Sequence, residues 1–202
     1  MNSIIEKFIG SEETVVSFSG IGTEQTDSVN EEFYNLTQHN YNVIFVMDHA
    51  RSWFNDINVN EIISKIKTKK VYAIGNSMGA YNACMFSSIF KVDAVLGFSV
   101  QYSVNPHIVP WEHRWDEHTT KITNWKYDHI QFSKNTRYLM INGDQGGDKE
   151  HLDLIPNNLN IQKVLRKNDG HLFTYDLKIQ NILYPIINDF FRNDRINILS
   201  YK

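Results

Sequence analysis

Short, nearly continuous apolar runs recur along the chain, separated by stretches in which apolar residues fall three or four positions apart. Thr14–Ser19 is the first strong run, closed by Gly20-Ile21-Gly22. Tyr41–Met47 ends at Asp48, and Val71–Ile74 leads directly into Gly75. Val92–Val100, Arg137–Asn142 and Gln162–Leu165 follow. Runs of this kind suit strands buried on both faces. Between them the spacing predicts helices over Asp27–Gln38, with Val29, Phe33 and Leu36 inward, and over Val59–Lys67, with Ile62, Ile63 and Ile66 inward. Further helices are predicted over Met78–Phe90, Lys149–Leu154 and Tyr175–Arg192, the last kinked at Pro185. Alternating strands and helices predict an α/β, three-layer sandwich with a mostly parallel sheet of about six strands.

One stretch departs from this rhythm. Residues 101–135, between the fourth and fifth strands, hold Trp111, Trp115 and Trp125, three of the four tryptophans, together with His107, His113, His118 and His129. A connection this long is unusual unless it has a function, and it reads as a cap over a site. The whole of 1–202 is expected to form a single domain.

Composition narrows the classes. Hydrophobic residues make up 42%, enough for a substantial core, and 20 basic against 23 acidic residues leave a net charge of −3. That balance supplies no electrostatic case for a nucleic-acid partner. Cys84 is the one cysteine, so no internal disulfide framework exists. Met1–Phe8 lacks the basic, apolar, small-residue order of a secretory signal. No apolar run approaches the roughly 18 residues of a membrane span. The expectation is a cytoplasmic protein without a membrane span.

The chemistry is concentrated where the third strand ends. Gly75-Asn76-Ser77-Met78-Gly79 is a G-x-S-x-G pattern lying between a strand and a small-residue helix, the context of a nucleophile elbow. Such a turn exposes a serine hydroxyl in a strained conformation, and glycines flank it because side chains there would collide. A nucleophilic serine needs a base, an acid to orient the base, and donors for a developing oxyanion. Lys167-Asn168-Asp169-Gly170-His171 follows the last strand and offers His171 as base. The loop after the fifth strand offers two acids, Asp144 at the strand end and Asp148 at the start of the next helix. Asp144 is favoured, because an N-cap role accounts for Asp148. Backbone N–H groups of Met78 and of Ile21, in the Gly20-Ile21-Gly22 turn, are the oxyanion candidates.

Strand, glycine turn, G-x-S-x-G, aspartate and histidine, in that order, resemble the α/β-hydrolase superfamily over about residues 12–195. The resemblance implies an α/β-hydrolase-like sheet that starts at the family's third strand. It implies a serine esterase acting through an acyl-enzyme, with no cofactor needed for hydrolysis. Ser19 stands before the glycine turn where many members carry histidine. The Ser19–Gly22 turn, the Asp48–Phe54 segment and the short chain are similar to bacterial capsule-polysaccharide O-acetyltransferases of this fold. That similarity implies acetyl-CoA as co-substrate and a sugar hydroxyl in place of water. A non-catalytic binding protein on the same fold is the remaining alternative.

Substrate contacts are sought at the carboxyl ends of the strands. Gly20 would let the backbone approach a substrate, Arg51 would hold an anionic group in a forked hydrogen bond, and Trp53 would stack on a sugar or acyl chain. The competing reading has Arg51 paired internally and Trp53 filling core. Small-molecule or carbohydrate esters are the expected substrates. Glu112, His113, Asp116, Glu117 and His118 match no standard metal-ligand spacing. Ser64–Lys67 fits S-x-x-K but lies on an amphipathic helix, where a solvated face accounts for it.

Overall fold

The computed structural model describes residues 2–22 and 28–193. Among these, seven strands form one sheet: β1 (Asn2–Lys7), β2 (Glu13–Phe18), β3 (Asn42–Asp48), β4 (Lys70–Asn76), β5 (Ala94–Phe98), β6 (Arg137–Gly143) and β7 (Ile161–Arg166). Their order is β1-β3-β2-β4-β5-β6-β7. Every pairing is parallel except that of β1 with β3.

β1 is one strand more than the apolar runs predict. It lies at the sheet edge and is only half-buried, so its mixed sequence Asn-Ser-Ile-Ile-Glu-Lys carries no continuous apolar signal. The central strands, in contrast, are buried on both faces. Val15, Val43 and Phe45 join one core with Leu36, Ile186, Ile187 and Phe190. Val16, Ile44 and Val46 join the other with Ile62, Ala80, Ala83 and Cys84. Side chains alternate along each strand, so one run of apolar residues feeds both layers.

The helices are α1 (Val59–Lys65), α2 (Met78–Ile89), α3 (Asp116–Thr119), α4 (Asp148–Leu154), α5 (Phe173–Ile179) and α6 (Leu183–Arg192). Two helix expectations need correction. Asp27 lies outside the described residues, and from residue 28 onward the only helical piece before β3 is a 3₁₀ turn, Tyr34–His39, entered through Phe33 at φ 56°. Hydroxyls of Ser17 and Ser19 bond the carbonyls of Glu32 and Asn30 at 2.7 and 2.6 Å. Those carbonyls are held by β2 and its end, and no helix ladder uses them. The predicted inward residues Val29 and Leu36 are nonetheless buried.

The long C-terminal helix is broken rather than kinked. Asn181, at φ 60°, separates α5 from α6. Pro185 then falls in the first turn of α6, where its missing N–H leaves no bond unmade. Within α6, Leu183, Ile186, Ile187 and Phe190 are buried at helical spacing.

Residues 101–135 connect β5 to β6 with turns and the short α3. Asn55 clamps the segment from the β3 side: its Oδ1 accepts from the Tyr127 N–H at 3.0 Å and its Nδ2 donates to the Tyr127 carbonyl at 3.2 Å. Tyr81 of α2 donates to the same carbonyl at 3.0 Å.

Candidate active site

β4 ends at Asn76, and Ser77 follows with φ 56° and ψ −122°. Backbone of this kind costs a non-glycine residue on the order of 1–3 kcal/mol. It is held from both sides. The Ser77 N–H donates to the Phe98 carbonyl of β5 at 2.9 Å, and the Ser77 carbonyl accepts from Ala80 and Tyr81 of α2 at 3.0 and 3.2 Å. The flanking glycines are required by contact. A Cβ on Gly75 would lie 2.1 Å from the Gly79 carbonyl, and one on Gly79 would lie 2.1 Å from the Phe18 carbonyl oxygen.

His171 reaches Ser77 from the loop after β7. Ser99 donates its hydroxyl to the His171 carbonyl at 2.6 Å, which anchors the backbone. His171 Nε2 is 2.9 Å from Ser77 Oγ. On its other side Nδ1 lies 2.9 and 2.8 Å from Asp148 Oδ1 and Oδ2. Two carboxylate oxygens can only accept, so Nδ1 carries the proton and Nε2 accepts from the serine hydroxyl.

The structure therefore brings Asp148, not the favoured Asp144, to His171. Asp148 is fully buried at the first position of α4, preceded by Gly147 at φ 87°. Gly147 occupies the N-cap, so Asp148 is not the cap residue and its carboxylate points to the imidazole. Asn142, at the end of β6, donates to the Asp148 carbonyl at 2.7 Å and accepts from the Val100 N–H at 2.8 Å. Asp144 faces the base of the His171 loop. Its Oδ1 accepts from the Asn168 N–H at 2.9 Å, with Lys167 Nζ 3.8 Å from Oδ2.

Met78 opens α2, where first-turn N–H groups lack intrahelical acceptors. Across from it, the Gly20 N–H donates to Glu32 Oε1 at 2.9 Å, and Arg51 Nε donates to the Ile21 carbonyl at 2.9 Å. The Gly20 amide is thus engaged within the protein, and the Arg51 guanidinium bonds the Gly20-Ile21-Gly22 turn through Nε. Burial pushes the Glu32 carboxyl up to about 7, partly offset by the Gly20 hydrogen bond. The stacking expectation for Trp53 does not hold. Left-handed backbone at Arg51, Trp53 and Phe54 (φ 50°, 44° and 72°) tucks the indole inward, where it is fully buried. Its Nε1 donates to Gln101 Oε1 at 2.7 Å, and its ring meets that of Trp115 at 6.4 Å.

Around Asp148 and His171, sequence reasoning names Trp115 only as part of the 101–135 segment and Glu112 only as a metal-ligand candidate, and it does not find Arg114. The Trp115 ring lies 5.4 Å from the His171 ring. Arg114 Nη1 donates to Asp148 Oδ1 at 2.8 Å. Arg114 Nε also donates to both Glu112 oxygens, at 2.9 and 3.0 Å. Glu112 Oε2 meets Nε2 of the fully buried His151 at 2.8 Å, while His151 Nδ1 accepts from the Tyr102 N–H at 3.3 Å. Burial would raise the Glu112 carboxyl, but the bonds from His151 and Arg114 outweigh it and hold Glu112 down at about 2. Glu112 and Arg114 are spaced two apart in an irregular segment, a pattern with no periodic signal. The acids and histidines considered as metal ligands do not converge: Glu112 turns inward, while His113 pairs with Asp116 at the surface, 3.1 Å apart. Among the described residues no group of three or more His, Cys, Asp or Glu could hold a metal ion, and no helix is long and apolar enough to cross a membrane.

A mostly parallel seven-stranded sheet with helices on both faces and a strained serine between strand and helix is an α/β-hydrolase-like fold. No protein-family model matches the chain, and no curated protein does. Solved structures do. The capsule O-acetyltransferase of Neisseria meningitidis serogroup A superposes with a TM-score of 0.67 at 12% identity, over 95% of this chain and 92% of that one. An α/β hydrolase from the sediment metagenome of the Mar Chica lagoon, Morocco, gives 0.56 at 14% identity, over 93% and 95%. A Xanthomonas campestris serine hydrolase described as without a lid gives 0.53 at 12%, over 94% and 88%. At these identities the likeness is one of fold.

Proposed function

We propose that the protein is a serine acyl hydrolase or acyltransferase that works through Ser77, His171 and Asp148. The observation that carries this reading is the unbroken contact from Ser77 Oγ through the His171 ring to the buried Asp148 carboxylate. In the reaction, Ser77 Oγ attacks the carbonyl carbon of an acyl ester as His171 Nε2 takes its proton. Asp148 holds the ring in the tautomer that accepts, and offsets the charge of the imidazolium. The Met78 and Ile21 N–H groups are the proposed donors to the oxyanion of the tetrahedral intermediate. His171 then returns the proton to the leaving oxygen or sulfur, and the acyl group stays on Ser77. A second acceptor, deprotonated by His171, releases it.

For that acceptor, hydrolysis by water is the first reading. Transfer from acetyl-CoA to a sugar hydroxyl is the second, and one observation favours keeping it: the fold similarity to a capsule O-acetyltransferase spans nearly the full length of both chains.

The test has two stages. Folded protein is treated with a fluorophosphonate, and Ser77 is expected to be labelled; no label would sink both enzyme readings. Hydrolysis of p-nitrophenyl acetate is expected to fall at least about 10⁴-fold in Ser77→Ala. Acetyl transfer from acetyl-CoA to an oligosaccharide faster than hydrolysis would select the transferase.

A further inference from the structure

Asp148 is fully buried, and its Oδ1 accepts from two groups, His171 Nδ1 at 2.9 Å and Arg114 Nη1 at 2.8 Å. Arg114 belongs to the segment between β5 and β6, as does the next residue, Trp115, whose ring packs against His171. The guanidinium is also stacked over the Trp115 ring, 5.5 Å from its centroid. Two consecutive residues of this segment therefore touch the acid and the base.

The arginine is itself fixed. Glu112 binds its Nε and Nη2, and His151 binds Glu112 in turn. His151 accepts a backbone N–H at Nδ1, so its ring donates through Nε2 and Glu112 remains the anion. Around His171 the charges are thus Asp148 and Glu112 as anions and Arg114 as the cation between them. Other charged groups near the His171 loop have partners of their own, Arg166 with Asp169 and Lys167 near Asp144 of the loop after β6. Without Arg114, two carboxylates would face the imidazole side of the site unbalanced. A buried charge that loses its partner is strongly destabilising.

We infer that Arg114 is a positioning residue for the proposed reaction, holding Asp148 in line with His171 and tying that alignment to the seating of the 101–135 segment. The inference rests on the proposed function and adds a residue outside the Ser-His-Asp set. It makes a signed prediction. Arg114 opposes the imidazolium that forms on His171, and Glu112 opposes Arg114. Removing Arg114's charge favours the imidazolium, so the acid limb of kcat/KM moves to higher pH. Removing Glu112's charge leaves Arg114 balanced by Asp148 alone, so the limb moves to lower pH.

The experiment measures kcat/KM for p-nitrophenyl acetate from pH 5 to 9 in wild type, Arg114→Gln and Glu112→Gln, with thermal melts of each. Arg114→Gln is expected to lower kcat about 10–100-fold, the size of one lost hydrogen bond between charged groups, and to raise the acid limb by about one pH unit. Glu112→Gln is expected to shift it the other way. Guanidinium added to Arg114→Ala is expected to restore part of kcat. A general loss of packing would not give opposite signs. Should Arg114→Gln not fold, the direction of the Glu112→Gln shift decides: upward or none overturns the inference. Wild-type rate and profile in Arg114→Gln also overturn it. Wild type that a fluorophosphonate fails to label at Ser77 defeats the underlying functional reading instead, so the two failures are distinct.

Discussion

Asp144 and Asp148 lie four residues apart, one in the loop after β6 and one opening α4, and the direction of each carboxylate separates them. Asp144 is spent on the Asn168 amide, where it shapes the stem of the loop that carries His171. Asp148 is sealed under Arg114 and aimed at the imidazole. Asp148→Asn is expected to reduce p-nitrophenyl acetate turnover by about 10⁴-fold, because an amide can present its N–H₂ to Nδ1 and stabilise the wrong tautomer. Asp144→Asn is expected to stay within about tenfold of wild type, since an amide oxygen still accepts from Asn168. Side-by-side initial rates at neutral pH check both, and equal losses would return Asp144 to contention. Proximity to the strand end favoured Asp144 in the sequence. Facing is a property of the Gly147 turn, at φ 87°, and leaves no trace in residue order.

At the scale of elements, the elbow is where chain and structure agree most closely. β4, Ser77 and α2 fall where the apolar run and the G-x-S-x-G pattern place them, because close backbone approach demands glycine whatever surrounds it. Gly79→Ala would drive a Cβ to 2.1 Å from the Phe18 carbonyl, and part α2 from β2. The expected cost is about 2–4 kcal/mol in urea unfolding, with fluorophosphonate labelling slowed well beyond what that instability explains. A variant of wild-type stability and labelling rate would mean that the helix does not need this contact. Parallel strands buried on both faces were legible for the same reason: continuous apolar runs have few other uses. Less legible were β1, with one edge in solvent, and the turns at 28–33 and 180–182, where single hydroxyl bonds and one left-handed Asn181 decide the path. The Glu112–Arg114–Asp148 contact joins an irregular segment to a helix far along the chain, and no local pattern encodes it.

For the whole molecule, the buried Glu112 and the half-buried Glu32 pull stability in opposite directions with pH. Glu112, held at about 2, is ionised more readily in the folded state than in the unfolded. Its contribution is present above about pH 4.5 and is lost as the pH falls toward 2. Glu32, raised to about 7, binds its proton more tightly when folded. Its contribution is full below about pH 4.5 and declines as the pH climbs to 7. Glu32→Gln keeps an oxygen for the Gly20 amide and removes the ionisation. It is expected to gain about 1–3 kcal/mol over wild type at pH 8 and almost nothing at pH 4, read from urea unfolding at both. A gain independent of pH would show that Glu32 does not titrate as described. The contact of Arg114 and Trp115 with Asp148 and His171 has a practical bearing on redesign. Anyone grafting a different loop between β5 and β6 to change selectivity would also strip Asp148 of its guanidinium and His171 of its indole wall. A productive graft must carry an arginine and an aromatic ring to the same two places.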